Sequence, residues 1–261
     1  MFEENKNECP QTLVLKLQYD GSEYFGWQIQ PNTCTIQECI ENALKKLIGK
    51  SLRVIGAGRT DAGVHAREQV AHSVLFKGFP IPENKIKIAL NTNLPKDIRI
   101  DKAIIVNFEF NARFDAIARE YSYSITNLEN VFNRNFVTLV HYNLDFEIMN
   151  KTAELFLGKH DFTSFSKYNL GNKNYICDVL HSSWEIADTN NHIFHIKANR
   201  FVYGMVRLLV GAMLNVARGK KSISDIENAL NNPQRLPIST SAPAQGLVLE
   251  KIYYPKELID F

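Results

Sequence analysis

The sequence predicts an α+β fold made of two related halves. Segments that alternate apolar and polar residues are interleaved with segments of helical period, in the order strand, helix, strand pair, helix, strand up to residue 108. That order implies a sheet with helices on one face. A similar order recurs after residue 110. The 261 residues, 45% hydrophobic and 22% charged, suffice for one large or two ordinary soluble domains with a substantial core. No sequence repeat accompanies the recurring order, so the duplication rests on element order alone. The seam is placed near residues 107–113. It divides an N-terminal α+β domain, residues 1–109, from a C-terminal one, residues 110–261, and leaves the halves free to share a sheet.

Residues 12–19, TLVLKLQY, alternate as a half-buried strand does. After the glycine- and aromatic-rich loop DGSEYFGWQIQPNTC, Thr35 and Glu38 form a T-x-x-E capping box. Ile36, Cys39, Ile40, Ala43, Leu44 and Leu47 then recur at helical spacing until Gly49 stops the helix. Strands are expected at 52–56 and 69–76, a helix opened by Pro82 to about residue 91, and a strand at 98–108. In the second half, REYSYSIT (119–126) alternates as a strand and 145–157 reads as a helix. SSWEIA and HIFHIKA (182–198) read as a hairpin around Asp188, Asn190 and Asn191. A mostly apolar helix follows at 202–218, a shorter one at 222–231, and a closing strand at 247–254.

Several classes are disfavoured. The four cysteines, Cys9, Cys34, Cys39 and Cys177, contain no C-x-x-C pair, which argues against a zinc ribbon or thioredoxin-like site. They are too few for a disulfide scaffold, and the chain reads as cytoplasmic with reduced thiols. The start, MFEENKNECPQ, is acidic and polar, unlike a secretory signal. The most apolar run, LLVGAMLNVA, is too short to span a bilayer. A net charge of +2 neither demands nor excludes nucleic acid, so local basic patches must decide.

The stretch GAGRTDAGVHA (56–66) carries the densest chemistry. Asp-Ala-Gly is a favourable turn, and taken alone Asp61 reads as a turn aspartate. Arg59, two residues earlier, points to the same side of an extended backbone; an arginine beside a carboxylate keeps it ionised. An ionised, partly buried carboxylate can act as a nucleophile. Gly56, Gly58 and Gly63 would let a flat ligand approach the backbone. No Gly-Lys-Ser/Thr follows, so this is not a P-loop. Asp61, His65 and His72 as metal ligands lack a further carboxylate or cysteine at matching spacing. A glycosidase would need a second carboxylate, and nothing distinguishes Glu68 or Asp115 in that role.

GAGRTDAGVHA resembles the signature of the tRNA pseudouridine synthase A family. The resemblance extends over YDGSEYFGWQIQP, FNARFDAIAREYSY (110–123), FLGKHDFTSF (156–165), NRFVYGMVRLLVG (199–211) and APAQGL (242–247). Six motifs in family order, covering nearly the whole chain, make it specific. One departure is Asn111, where many members have histidine; Ala112-Arg113-Phe114 beside it is intact.

The resemblance implies two related α+β domains sharing a mainly antiparallel central sheet, with a basic cleft between them. It implies isomerisation of uridine to pseudouridine at positions 38, 39 and 40 of the tRNA anticodon stem-loop, on a base taken out of its stack. No metal or organic cofactor is implied, and the partners are transfer RNA and a second subunit in a homodimer. Asp61 falls on the nucleophile. Tyr121 falls beside the target uracil, although from its residues alone a core strand tyrosine is an equal reading. Arg207, a cation inside the apolar YGMVRLLVG helix, falls on the partner of Asp61. Arg59 then faces RNA, and the division of labour between the two arginines stays open. Leu247 falls in the active-site pocket, with an ordinary strand residue as the plain alternative. Ser164 and Lys167 are placed at the RNA border. Arg67, Arg113, Arg119 and Arg200, with Lys45, Lys46, Lys50 and Arg53, could line a phosphate-binding cleft or simply form solvated faces. Trp27, Phe162 and Phe165 read as core anchors.

Overall fold

The computed structural model describes residues 11–75, 79–168, 171, 174–235 and 240–259. Its chain divides into two units, one of Met1–Ala62, Ala66–Ala116 and Tyr254–Phe261, the other of Gly63–His65 and Ile117–Tyr253. The fold is α+β, with sheets that are mostly antiparallel.

In the first unit β1 (Gln11–Tyr19) pairs antiparallel with β3 (His65–Leu75) on one side and β4 (Ile98–Val106) on the other. Helices α1 (Ile36–Ile48) and α2 (Glu83–Asn93) contact each other, and α2 contacts β4. The alternation in β1 suggested a half-buried strand. In fact Thr12 and Val14 on one face and Leu13, Leu15 and Leu17 on the other are all buried. Only Lys16 and Gln18 open that first face to solvent, because a strand flanked by two others with helices nearby is covered on both sides near its start.

Helix α1 begins where its sequence predicts, with the Thr35 half of the expected capping box. Thr35 accepts from the Glu38 N–H, and Gly49, at φ 78°, donates to the Lys45 carbonyl at 2.8 Å. Its apolar stripe (Ile36, Ile40, Ala43, Leu44) is at most 1% exposed, and each large aliphatic so buried contributes about 2 kcal/mol.

The strand expected at 52–56 shrinks to β2 (Ile55–Gly56), paired with β3. The cause lies in α1. Gln37 donates to the Val54 carbonyl and Glu41 accepts from the Val54 N–H, so helix side chains take the groups a strand would have paired. Conversely β3 starts four residues before its predicted beginning (residue 76 lies outside the described residues). Its polar start, Arg67-Glu68-Gln69, hid it. Glu68 pairs with Lys16 at 3.3 Å, and Gln69 is fully buried.

His72 of β3 is 4% exposed, and its Nδ1 accepts from the Ala112 N–H at 3.1 Å. Burial pushes its pKa below the ordinary 6.5, with Asp115 and the Ile55 carbonyl acting the other way. The folded state therefore favours neutral His72. This contribution is complete above the unfolded pKa and is lost as pH falls from about 6.5 toward the folded value. Urea midpoints should accordingly drop between pH 7.5 and pH 5.5, and His72→Gln should flatten that change. An equally steep acid limb in the variant would rule out His72 as its source.

The second unit carries β5 (Ala118–Thr126), β6 (Thr138–Leu139), α3 (Phe146–Glu154), β7 (Gly158–Asp161), β8 (Ile176–Ile186), β9 (Asn191–Ala198), α4 (Met205–Ala217), α5 (Ile223–Asn231) and β10 (Leu247–Tyr253). The strand order is β10-β5-β9-β8-β7, all antiparallel, with β6 joined parallel to β5. The β8–β9 turn forms where Asp188 accepts from the N–H groups of Asn190 and Asn191. Ser222 and Asp225 close a reciprocal capping box on α5. Helix α4 starts three residues later than its apolar pattern suggests, because Gly204 sits left-handed at φ 72°. Phe162 and Phe165 are buried, the latter in a 3-10 turn, Thr163–Phe165. Among the described residues, no helix is long and apolar enough to cross a membrane.

Candidate active site

In the first unit the structure fixes the backbone around Asp61. Gly56 pairs with Ala71, the Ala57 N–H donates to the Val70 carbonyl, and Gln69 Nε2 donates to the Gly58 carbonyl at 3.0 Å. On the other flank Thr60 is held twice. Its carbonyl accepts from the Trp27 N–H at 3.1 Å, and its hydroxyl lies 2.9 Å from the Tyr19 hydroxyl. The half-buried Asp61 thus follows directly on a clamped residue.

The clamp depends on close backbone approach. A Cβ on Gly26 would stand 2.5 Å from the Thr60 carbonyl oxygen. Trp27, 2% exposed, lies in the core with its indole against Gly56, where a Cβ would come within 2.6 Å of the ring. It is an anchor for the loop, as expected. The sequence did not reveal Gln69 and Tyr19 as supports; a glutamine inside a strand carries no local signal for the loop carbonyl it serves.

Arg59 is the most informative cation here. Partial burial lowers its pKa, and the charges of Arg113 and Arg53 lower it further. Three guanidinium groups are close enough to repel, an arrangement suited to polyanion binding. Arg113 leaves a turn built by Asn111, whose Oδ1 accepts from the Arg113 and Phe114 N–H groups while the Asn111 N–H donates to Asp115. The residue that departs from the family pattern is thus the one that shapes the Arg113 turn. Arg67 is exposed on β3. His72 is committed to Ala112 and, in the second unit, His65 Nε2 lies 2.8 Å from the Asn135 carbonyl. Two of the three residues weighed as metal ligands, His65 and His72, are therefore drawn toward different partners.

In the second unit Tyr121, Leu247 and Arg207 are tied to one region of backbone. Tyr121 on β5 and Leu247 on β10 lie on paired strands, in the registers Tyr121↔Leu249 and Tyr123↔Leu247. Both are buried, at 8% and 6% exposure. The Tyr121 ring meets Phe201 edge-on at 5.1 Å. Arg207, half-buried on α4, donates from Nε to the Ala242 carbonyl at 2.7 Å, and the Ala242 N–H returns a bond to the Arg207 carbonyl. Tyr123, the second tyrosine of REYSY, supports the same segment: its hydroxyl donates to the Pro243 carbonyl and contacts Thr138. Burial raises the Tyr123 pKa, and the nearby Arg207 charge opposes that rise. Gly63 lies against Ala244, 3.3 Å from where its Cβ would be, so the end of the GRTDAG motif meets APAQGL.

Gly211 makes the approach of α4 to this segment possible. A Cβ there would lie 1.8 Å from the Thr240 carbonyl oxygen. Gly211→Ala should lower stability by about 1–3 kcal/mol in urea titration despite alanine's better helix propensity. Unchanged or raised stability would show that the 240–242 backbone yields freely.

A half-buried carboxylate on a loop held at Gly58 and Thr60, with arginines clustered around Arg59, suits an enzyme acting on a polyanion. A family model described as tRNA pseudouridine synthase matches residues 17–115 and 152–255. The chain belongs to the tRNA pseudouridine synthase family, isomerases that act on uridine in transfer RNA. It is similar to proteins named tRNA pseudouridine synthase A. The one from Bacteroides fragilis is 43% identical over 250 residues, 96% of this chain and 99% of the relative. That from Porphyromonas gingivalis is 40% identical over 94% of this chain and 98% of the relative. A third, from Clostridium botulinum, is 38% identical over 93% and 99%.

Proposed function

We propose that the chain converts uridine to pseudouridine at positions 38, 39 and 40 of the transfer RNA anticodon stem-loop, with Asp61 as nucleophile. The observation that carries this reading is a half-buried carboxylate on a loop held at Gly58 and Thr60, in a chain of this family. The reaction breaks the bond from ribose C1′ to N1 and forms one from C1′ to C5. N1 gains a proton and C5 loses one, so no oxidant or reductant is consumed. Covalent capture by Asp61 splits the exchange into two easier steps.

Tyr121 stacks on the flipped uracil and Leu247 packs beside it. Arg207 pairs with and orients Asp61. Arg59, with Arg67 and Arg113, holds the displaced backbone, a role supported by the Arg53–Arg59–Arg113 charge cluster. The enzyme works as a cytoplasmic homodimer, in two domains meeting near residue 110. The test is release of tritium from transfer RNA labelled at uracil C5, with no metal added. That hydrogen leaves only when the base is rejoined through C5. Stoichiometric release, mapped to positions 38, 39 and 40, is expected; no release with tRNA bound would leave an RNA-binding protein without this chemistry.

A further inference from the structure

We infer that Cys34 and Cys39 form a thiol pair that glutathione disulfide converts reversibly to an intramolecular disulfide, stapling the Asp20–Cys34 loop to the first turn of α1. The two Sγ atoms lie 3.8 Å apart. Cys34 precedes the N-cap Thr35, and Cys39 is the fourth residue of the helix. These are the two positions where an apolar pair ordinarily packs to fix how the chain enters a helix; here both carry sulfur. Cys34 is exposed, Cys39 is half-buried, and Cys177 is buried away from reagent.

The loop that Cys34 ends is the one that clamps Asp61's neighbour. The Phe25 N–H donates to the Cys34 carbonyl, the Ile36 N–H to Gly26, and the Trp27 N–H to Thr60. Asn32, left-handed at φ 59°, turns the chain back toward the helix. A link at Cys34 would hold the outer end of a loop whose inner end carries the Trp27–Thr60 bond.

The chemistry balances with the oxidant named. The Cys34 thiolate attacks one sulfur of glutathione disulfide and expels one glutathione. Cys39 then gives its proton to solvent and attacks the Cys34 sulfur, expelling the second. Two protein thiols become one disulfide, and one glutathione disulfide becomes two glutathiones. The exposed thiol is the entry point. Burial raises the Cys39 pKa in the reduced pair, with Cys34, Glu38 and Asp97 adding to it and Tyr24 also facing the pair; burial and the two carboxylates remain once Cys34 carries glutathione, and they make closure the slow step. Its rate should rise about tenfold per pH unit through the neutral range.

Trypsin cleaves after Lys16 and Lys45, so one peptide, residues 17–45, holds both cysteines. After treatment of the reduced full chain with glutathione disulfide, this peptide should lose both its thiols and be lighter by two hydrogens. The melting temperature should rise by roughly 5 °C and return on reduction. Cys34→Ser should show neither change, and Cys39→Ser should trap glutathione on Cys34. A bridge from Cys34 to any other cysteine, or a stable glutathione adduct at Cys34 in the unmutated chain, would overturn the pair. Closure with no rise in melting temperature would overturn the staple.

Discussion

Replacing Asp61 with asparagine is expected to reduce C5 tritium release by about 10⁴-fold or more, while folding and tRNA affinity survive. Asparagine keeps the shape of the side chain and one oxygen but cannot form the covalent adduct. The substitution is mild structurally, because the loop is held by its neighbours: Gly58 through Gln69, and Thr60 through Trp27 and Tyr19. Asparagine also matches aspartate in size, and the stability change should stay within about 1 kcal/mol. Three measurements separate the outcomes: single-turnover tritium release, filter retention of tRNA, and urea titration. Turnover within about 100-fold of the unmutated enzyme would exclude a nucleophilic role. Loss of tRNA retention with an intact urea transition would move Asp61 from chemistry to binding.

Arg207→Lys should lower the single-turnover rate by about 10²-fold and change tRNA affinity by no more than about threefold. Arginine at this position uses Nε for the Ala242 carbonyl; the planar fork can direct its other nitrogens at a carboxylate at the same time. Lysine has one nitrogen at the end of a flexible stem and must abandon one partner. The charge is conserved, so a purely electrostatic role toward RNA would leave the rate nearly intact. An unaltered single-turnover rate would therefore dismiss the orienting role, and a selective loss of affinity would place Arg207 among the RNA contacts instead.

The motifs with local causes were readable from the chain. The T-x-x-E start of α1, the Gly49 stop and the Asp188 turn each depend on a few adjacent residues, and each appears where its sequence puts it. What was hidden depends on partners distant in sequence. Residues 52–54 look like a strand, yet Gln37 and Glu41 of α1 satisfy Val54. The start of β3 looks too polar until Glu68 finds Lys16 and Gln69 finds Gly58. The short strands β6 and β7, of two and four residues, offer too little alternation to register. At the candidate site, the roles expected of Asp61, Arg59, Tyr121 and Arg207 rest on motif resemblance. The supports Gln69, Tyr19 and Tyr123 were missed, since a buried hydroxyl or amide looks the same in sequence whichever carbonyl it serves.

Tyr254 rejoins the first unit after Ile117–Tyr253 of the second have intervened. Its ring packs 5.2 Å from that of Phe110, and its hydroxyl donates to the Ala112 carbonyl. Ala112 is also the residue whose N–H satisfies His72. On the ribosome, the chain up to residue 116 emerges well before residue 254 is made. The nascent first unit lacks the Tyr254 ring beside Phe110 for as long as translation of 117–253 takes, several seconds or more at about 5–20 residues per second. The first unit therefore gains this ring only by closing a long detour in the chain.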